Sequence, residues 1–334
     1  MRKLKIRVGV ISGLLFALML WALWLYSSNV SRSTEWLKHP APPGRMVDVG
    51  AGELYATVKG VKQPTVIIEA ALGASSAEWR QVQDKLAVKS KVLSYDRAGY
   101  GWSPLLPGAR SADELVKELR FLIKKENLTP PYILVGHDVG ALYMVRFAQA
   151  YPSEVIALVL VDPFPVNIAD FKSRLETAVY KNFIDRRASY KTGAFFAKAG
   201  IVRALKIVPY KQVPAELRRD IQENFCLPGM YTAALREYKE ALRVTHGSLR
   251  KGGRLHGIPI SLLTHSRTVY RKEMKFFGVP VDEAEKVEKL WGESYALLMG
   301  LSNRSRIIEA AESASNMHLT ESEIIVNAVS KYLP

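Results

Sequence analysis

The ten residues ILVGHDVGAL, from Ile133 to Leu142, decide the fold that this sequence predicts. Their pattern indicates a short apolar strand, a turn with glycines at 136 and 140, and the start of a helix. The spacing is that of a nucleophile elbow, G-x-S-x-G, in which a sharp turn presents the central side chain at the edge of a sheet. Asp138 occupies the central position, where serine is usual. The sequence therefore predicts a carboxylate, and not a hydroxyl, at the place of a hydrolytic nucleophile.

Apolar segments on both sides of this turn predict a mostly parallel central sheet flanked by helices. TVIIEA, KVLSY, VIALVLV and IPISLLT are short apolar runs, typical of strands that are covered on both faces. Helical patterns alternate with them, which implies right-handed crossovers within an α/β fold. The alternation stops from about Pro163 to Gly257, where the sequence is largely helical. We expect an α/β domain over residues 45–334, with a helical lid at about 163–257 inserted after the sixth strand.

Three capping boxes predict where helices begin. Ser75 with Glu78, Ser111 with Glu114, and Thr320 with Glu323 have the spacing in which a hydroxyl and a carboxylate cap each other's backbone N–H groups. We expect a helix to follow each of them.

The first thirty residues predict a basic flank and a transmembrane anchor. Four basic residues among the first seven precede an uncharged apolar run from Val8 to Tyr26. A helix of about nineteen residues spans the roughly 30 Å hydrocarbon layer. The run is longer than the core of a signal peptide and has no small-x-small site, so an uncleaved signal-anchor is favoured over a cleaved signal peptide. The flank should stay cytoplasmic, so residues 31–44 would form a tether to a domain on the extracytoplasmic side, periplasmic or lumenal, of a single-pass membrane protein.

Composition and charge narrow the classes of partner. The formal net charge is +15, but no zinc, helix-turn-helix or aromatic RNA-binding signature accompanies it, so an anionic membrane surface is expected rather than nucleic acid. The single cysteine, Cys226, excludes an intramolecular disulfide and is expected to be an inert small hydrophobe. We expect no metal and no cofactor.

A second motif adds a family resemblance. The run SYDRAGYGWS, from Ser94 to Ser103, combined with the elbow, resembles the α/β-hydrolase superfamily, and the similarity covers about residues 45–333. The resemblance implies an oxyanion hole formed by the backbone N–H groups of Leu72 and Val139. The GHDxG form of the elbow is similar to that of epoxide hydrolases and haloalkane dehalogenases, in which the carboxylate attacks carbon and forms an ester.

The same resemblance implies an acid and a base, and here the sequence departs from it. Asp162 directly follows the sixth strand, where this branch places its acid, although a loop aspartate that caps a turn is an equal interpretation. The base histidine falls on Ser315, and a hydroxyl has no suitable pKa for that role. His318, three residues further on, is a substitute base or simply a loop residue beside a helix. After the seventh strand the chain offers His265 in place of a carboxylate.

The lid sequence leaves two interpretations open. From Tyr190 to Gln212 apolar and basic residues alternate, which predicts either a helix packed over the pocket or a surface that lies on an anionic bilayer. Tyr180, Tyr190 and Tyr210 are candidates to polarise an epoxide oxygen.

Two functions therefore remain. One is a membrane-anchored hydrolase that acts slowly on an apolar or lipid-like small molecule through Asp138 and Asp162. The other is a catalytically degenerate homologue that keeps the pocket and serves as a binding or scaffold protein.

Overall fold

An eight-stranded sheet organises the chain, which the computed structural model describes over residues 2–39, 43–208, 210, 212–253, 255 and 257–334. Its strands are β1 (Arg45–Asp48), β2 (Glu53–Lys59), β3 (Thr65–Glu69), β4 (Lys91–Tyr95), β5 (Tyr132–His137), β6 (Val155–Val161), β7 (Ile260–Thr264) and β8 (Ser305–Glu309). They lie in the order β1-β2-β4-β3-β5-β6-β7-β8. β2 pairs antiparallel with both neighbours, and the other pairings are parallel. The predicted mostly parallel sheet is confirmed.

Helices cover both faces of the sheet. They are α1 (Arg2–Lys38), α2 (Arg80–Ala87), α3 (Ala112–Lys125), α4 (Val139–Ala150), α5 (Ile168–Arg174), α6 (Thr177–Val179), α7 (Arg187–Lys198), α8 (Ile201–Ala204), α9 (Ala215–Cys226), α10 (Pro228–Ala241), α11 (His246–Lys251), α12 (Arg267–Phe276), α13 (Val281–Met299), α14 (Met317–Thr320) and α15 (Ser322–Ser330). A 3-10 turn at Ser76–Trp79 precedes α2, and a π-helical turn at Tyr180–Ile184 precedes α7. Helices α5 to α11 lie between β6 and β7, where the sequence predicts an insertion; they are called the insertion below.

Alternation along the strands divides the core into two layers. On β5, Leu134 packs into the layer that includes α3 and α4, whereas Ile133 and Val135 pack into the layer that includes α2 and α15. His137 continues the second alternation, so its side chain lies on the α2 and α15 side of the sheet and contacts Trp79. The elbow therefore follows a strand whose alternate side chains are buried in the two layers of the core.

The three predicted capping boxes have different outcomes. The Ser111 hydroxyl accepts the Glu114 N–H at 3.4 Å at the start of α3, as predicted. The Ser75 hydroxyl makes no cap, and the Glu78 carboxylate is fully buried and contacts the ring of His318. Helix α15 follows Glu321 and has no side-chain cap. The hydroxyl caps predicted at Ser75 and Thr320 are therefore absent.

Helix α1 replaces most of the predicted tether. The helix continues to Lys38, so the prediction that residues 31–44 form a tether is wrong for residues 31–38. Residues 40–42 lie outside the described residues. Four side chains on one face of the helix are buried against the domain: Leu25, Asn29, Ser33 and Trp36. Trp36 stacks on Trp102 with ring centroids 4.5 Å apart. Tertiary packing along this face explains why the helix extends beyond its apolar run.

Candidate active site

The turn between β5 and α4 presents Asp138 at the carboxyl end of the sheet. Asp138 has φ +53° and ψ −121°, a left-handed conformation that non-glycine residues rarely adopt. The flanking glycines are required by close approach: a Cβ at position 136 would lie 2.6 Å from the Ala141 Cα, and one at position 140 would lie 2.5 Å from the Ala70 carbonyl oxygen. The elbow geometry expected from the sequence is present, with a carboxylate at its tip.

An arginine from the insertion covers that carboxylate. Arg186 Nη1 donates to Asp138 Oδ2 at 2.6 Å, and Nη2 donates to Oδ1 at 3.1 Å. Burial alone would lower the pKa of Arg186, but the negative charge and hydrogen bonds of Asp138 outweigh it and raise the pKa. Asp138 is 6% exposed, whereas the Arg186 side chain is 35% exposed. The carboxylate is therefore held in a two-point ion pair whose outer partner touches solvent.

The predicted oxyanion loop faces the same carboxylate. The Leu72 N–H donates to Asp138 Oδ2 at 3.3 Å, and Val139 begins α4 directly after the elbow. Tyr190, from α7, places its hydroxyl 3.4 Å from the Leu72 carbonyl oxygen. Phe164 N–H donates to the Asp138 carbonyl oxygen at 3.0 Å, and its ring lies near the Arg186 guanidinium. Two aromatic residues thus contact the immediate partners of Asp138: Phe164 contacts Arg186, and Tyr190 contacts Leu72.

Arg97, in the SYDRAGYGWS run, holds the predicted oxyanion loop, residues 69–73, in place. Arg97 donates to the carbonyl oxygens of Ala70 at 2.8 Å and Ala71 at 2.9 Å, and it also binds the carboxylate of Glu69. From the insertion, Asn224 donates to the Gly73 carbonyl oxygen at 2.8 Å. These bonds hold the loop at both ends, so the motif that marks the family also positions the Leu72 N–H group.

Asp162 lies at the centre of a second, fully buried cluster. Its Oδ1 contacts His265 Nδ1 at 2.7 Å and accepts from the Tyr295 hydroxyl at 2.7 Å. The Ser315 hydroxyl also acts to lower the pKa of Asp162, so the residue at the predicted base position lies near the predicted acid. Burial acts to raise the pKa of Asp162, but His265 and the hydroxyl donors outweigh it and hold the pKa well below its usual range.

The partner of Asp162 is an imidazolium ion. Burial acts to lower the pKa of His265, but the charge of Asp162 and its hydrogen bond raise it to about 10. Glu288, with Oε1 3.5 Å from His265 Nε2, flanks the other ring nitrogen. A histidine that keeps its proton at neutral pH cannot accept one from water, so His265 has a structural charge and not the character of a general base.

His318 lies in a third place. It is fully buried, its Nε2 is 3.1 Å from Glu78 Oε2, and its ring stacks on Trp79 at 5.0 Å and lies 4.8 Å from the ring of His137. Burial lowers the pKa of His318 to about 3 and raises that of Glu78 to about 7. Among the described residues no contact joins His318 to Asp138 or Asp162. Its assignment as a substitute base stays a prediction, and the structure places it with Glu78.

The structure therefore brings Asp138 and Leu72 together, and places Ser315 near Asp162. Of the three candidate tyrosines, Tyr190 lies beside the predicted oxyanion loop. Sequence reasoning missed Arg186, and it did not pair His265 with Asp162. Only His265 had a positional signal, since it follows the seventh strand. Of the other lid tyrosines, Tyr210 lies beside Glu78.

Arg186 covers Asp138 and leaves it 6% exposed. Two clefts of about 590 and 530 Å³ lie elsewhere, one between α1 and the 99–105 loop and one beside α3. Within the described part of the chain, no group of three or more His, Cys, Asp or Glu side chains is arranged to hold a metal ion. A ligand would have to displace Arg186 to reach the carboxylate.

Comparisons with known proteins agree with this geometry. The sequence model of the alpha/beta hydrolase fold family matches residues 64–190. The "Uncharacterized protein YqjL" of Bacillus subtilis is 24% identical over 274 residues, which cover 81% of this chain and 84% of that protein.

Solved structures share the fold at lower identity. The Cif epoxide hydrolase from Acinetobacter nosocomialis has a TM-score of 0.66 at 17% identity, over 94% of this chain and 96% of that one. A bromoperoxidase from Bacillus anthracis has a TM-score of 0.63 at 16% identity, over 86% and 99%. The two are named for different activities, so the likeness concerns the fold. The elbow, the strand order and these similarities lead to one conclusion: the chain has the α/β-hydrolase fold, and its residues 64–190 are similar in sequence to that fold family.

Proposed function

We propose that the protein is a slow hydrolase that opens an apolar epoxide with Asp138 as the nucleophile. The observation that supports this most is the position of the Asp138 carboxylate, on a strained elbow and 3.3 Å from the Leu72 N–H group. A carboxylate needs no deprotonation, since it is ionised well below neutral pH. The aromatic surroundings, which include Phe164 and Tyr190, favour an apolar ligand.

In the first step an Asp138 oxygen bonds to an epoxide carbon, and the bond between that carbon and the epoxide oxygen breaks. The released alkoxide takes the phenolic proton of Tyr190, which water then restores. The product is a hydroxyalkyl ester of Asp138. This step requires Arg186 to leave the carboxylate, and its partly exposed position makes that exchange feasible.

Tyr190 makes an epoxide a better candidate than a carboxylic ester. A carboxylate that attacks an ester would form an anhydride, which is a poor route to hydrolysis. An epoxide instead needs a carboxylate for carbon and a proton donor for oxygen. Asp138 supplies the first, and Tyr190, within hydrogen-bonding distance of the oxyanion loop, supplies the second.

The second step should be slow. Water must attack the acyl carbon of the ester and release a diol, which regenerates Asp138. A positioned general base contributes typically about 10²- to 10⁴-fold to such a step. Ser315 occupies the base position, and the protonated His265 does not replace it. We expect the ester to accumulate.

Intact mass spectrometry of the full chain tests the proposal. After exposure to a panel of apolar epoxides, the wild-type chain should gain the mass of one epoxide, and D138N should not. Y190F should slow adduct formation, whereas Y231F, a matched change in the insertion at a hydroxyl that donates to the Phe225 carbonyl oxygen, should not. Wild-type protein that remains unmodified across the panel would contradict the proposal.

One observation supports a second candidate. The ion pair between Arg186 and Asp138 fills the site, as expected of a homologue that binds a ligand without reacting with it. In that case an apolar small molecule would raise the melting temperature without a covalent adduct. The same panel, followed by thermal unfolding, separates the two functions.

We further propose that α1 anchors the chain in a membrane, with the domain on the extracytoplasmic side. Within Leu14–Lys38, helix α1 contains a stretch apolar enough to span a bilayer, and Trp21 and Trp24 are exposed as in an aromatic belt at its end. Resistance of the membrane fraction to alkaline carbonate tests the anchor, and protease protection in sealed vesicles tests the side.

A further inference from the structure

The corner between α7 and α8, residues 195–207, exposes an unusual number of apolar side chains. Phe195 is 67% exposed and Leu205 is 69% exposed, and Phe196 and Ile207 are exposed to a lesser degree. In a water-facing loop such side chains are unfavourable when they are grouped together. This distribution does not fit the interpretation that these residues pack over the pocket.

The corner is fixed to α1. The Asn29 side chain donates to the Ala197 carbonyl oxygen at 2.9 Å, and Arg203 donates to Asn29 Oδ1 at 2.9 Å and to the Ser33 hydroxyl at 3.1 Å. Gly200 approaches so closely that a Cβ there would lie 2.5 Å from the Leu25 carbonyl oxygen. The exposed residues of the corner are therefore held beside the part of α1 that includes Leu25, Asn29 and Ser33.

The turn of α1 that contacts the corner lies at the end of the apolar run from Val8 to Tyr26. Leu25 contacts the corner, and its neighbours Trp24 and Tyr26 are 62% and 44% exposed. Exposed aromatic residues at the end of a transmembrane helix lie at the boundary between hydrocarbon and headgroups. The corner is therefore held at the height of that boundary.

The charge of the corner fits the same surroundings. Lys191, Lys198 and Lys206 are exposed, on or beside the same two helices. Apolar side chains that enter the interface, with lysines around them, are the pattern by which a surface element binds an anionic bilayer.

We propose that the α7–α8 corner is a second membrane contact, which rests in the headgroup region of an anionic phospholipid bilayer beside α1. The proposal rests on the membrane anchor described above, and it does not depend on the hydrolase activity. Because α7 begins directly after Arg186, this contact places one end of the helix on the bilayer and the other end at Asp138.

A fluorescent reporter in the full chain tests the contact. The only native cysteine, Cys226, is fully buried, so F195C and L205C are each expected to react selectively with an environment-sensitive nitrobenzoxadiazole label. F121C on α3 is the control, because Phe121 is an exposed aromatic residue (54%) in another layer of the fold. The chains are reconstituted in vesicles of phosphatidylcholine and phosphatidylglycerol, with and without nitroxide-labelled lipid.

Labels at 195 and 205 should show blue-shifted emission and severalfold stronger quenching by the nitroxide lipid than the label at 121. Chains that float with the vesicles but give equal quenching at all three positions would overturn the second contact and leave the anchor intact. Chains that do not float would overturn the anchor, and this proposal with it.

A charge variant tests the electrostatic part. The triple substitution K191Q/K198Q/K206Q, combined with the label at 195, should reduce quenching in vesicles that contain phosphatidylglycerol. It should have little effect in vesicles of phosphatidylcholine alone, where there is no anionic surface. Equal quenching of the triple variant and its parent in both kinds of vesicle would overturn the role of the lysines.

Discussion

Asp138 and Asp162 are both buried carboxylates at the carboxyl edge of one sheet, yet their partners differ in origin. Asp138 is paired with Arg186, which comes from the insertion and is partly exposed. Asp162 is held by His265 and Tyr295, which come from the core and are 1% and 5% exposed.

The difference divides the site into two halves. Asp138 and Arg186 are called the exchangeable half, and Asp162, His265 and Tyr295 are called the fixed half. Opening the insertion removes the partner of Asp138 without disturbing the sheet. Removing a partner of Asp162 leaves an uncompensated charge in the core, which is strongly unfavourable. Chemistry is therefore expected at Asp138, and structural support at Asp162.

The largest expected effect is on the rate at which the Asp138 ester is hydrolysed, when a basic side chain is placed at position 315 near Asp162. Ser315 lies close enough to Asp162 to lower the pKa of that carboxyl group, so we expect an imidazole at this position to have an ionised acid beside it. We expect S315H to hydrolyse the Asp138 ester about 10²- to 10⁴-fold faster than the wild type. The decay of a preformed adduct, followed by intact mass, measures this rate.

S315N is the matched control, because it fills the position without a basic nitrogen. Ester decay in S315H that is no faster than in S315N would mean that more than the base is absent from the site.

The next largest effect is on the free energy of unfolding. D162N keeps the shape of the side chain but leaves the His265 imidazolium without its partner. Breaking a buried ion pair typically costs about 3–5 kcal/mol. We expect a loss of this order in the free energy of unfolding, measured by denaturant titration and tryptophan fluorescence.

D185N is the matched control, since Asp185 pairs with Arg187, an ion pair with a half-exposed arginine. Such pairs contribute about 0–1 kcal/mol. Equal losses in D162N and D185N would mean that the buried pair of Asp162 stabilises the fold no more than a partly exposed ion pair does.

A smaller effect should appear with pH. The pKa of His265 is about 10 in the folded chain, against about 6.5 for an unfolded histidine. Its stabilising contribution is therefore complete below pH 6.5 and is lost as pH rises through 10, by less than the roughly 5 kcal/mol to which the full shift corresponds. Unfolding curves between these pH values measure the decline.

H265Q should flatten the same profile, because glutamine does not titrate. If the wild type and H265Q lost stability in parallel, the charge on His265 would not be the cause.

The smallest effect concerns the exchangeable half. R186Q removes the positive charge over Asp138 and should make the carboxylate more available to an epoxide. A partly exposed ion pair contributes about 1 kcal/mol, which corresponds to a roughly fivefold faster formation of the adduct. Time-resolved intact mass measures it, and R187Q, in the neighbouring exposed pair, should leave the rate unchanged. A slower reaction in R186Q would instead assign Arg186 to substrate binding.

Much of the fold could be predicted from sequence because its signals are local. The elbow spacing, the apolar strands and the long helical interval each occupy a continuous stretch, and each is present in the structure. The extension of α1 to Lys38 was not predictable in this way. The prolines near position 40 indicate a tether, whereas the helix is stabilised by burial of Asn29 and Trp36 against residues far away in sequence.

The site was predictable only where one residue type at one position carries the chemistry. Asp138 and Ser315 stood out because each departs from an expected pattern. Arg186 had no such signal, since its contact with Asp138 joins positions 48 residues apart in a generally basic segment. Glu78 matched a capping pattern, but burial beside His318 overrode that local preference.

Incorporation of heavy oxygen tests the role of Asp138 most directly. The full chain is given one equivalent of an apolar epoxide in water labelled with heavy oxygen, and the ester is left to decay. If Asp138 is the nucleophile, water cleaves the ester at its acyl carbon, and the peptide that contains Asp138 gains one heavy oxygen while the diol keeps light oxygen. A labelled diol with an unlabelled peptide would mean that water attacks the epoxide directly, and Asp138 would not be a nucleophile.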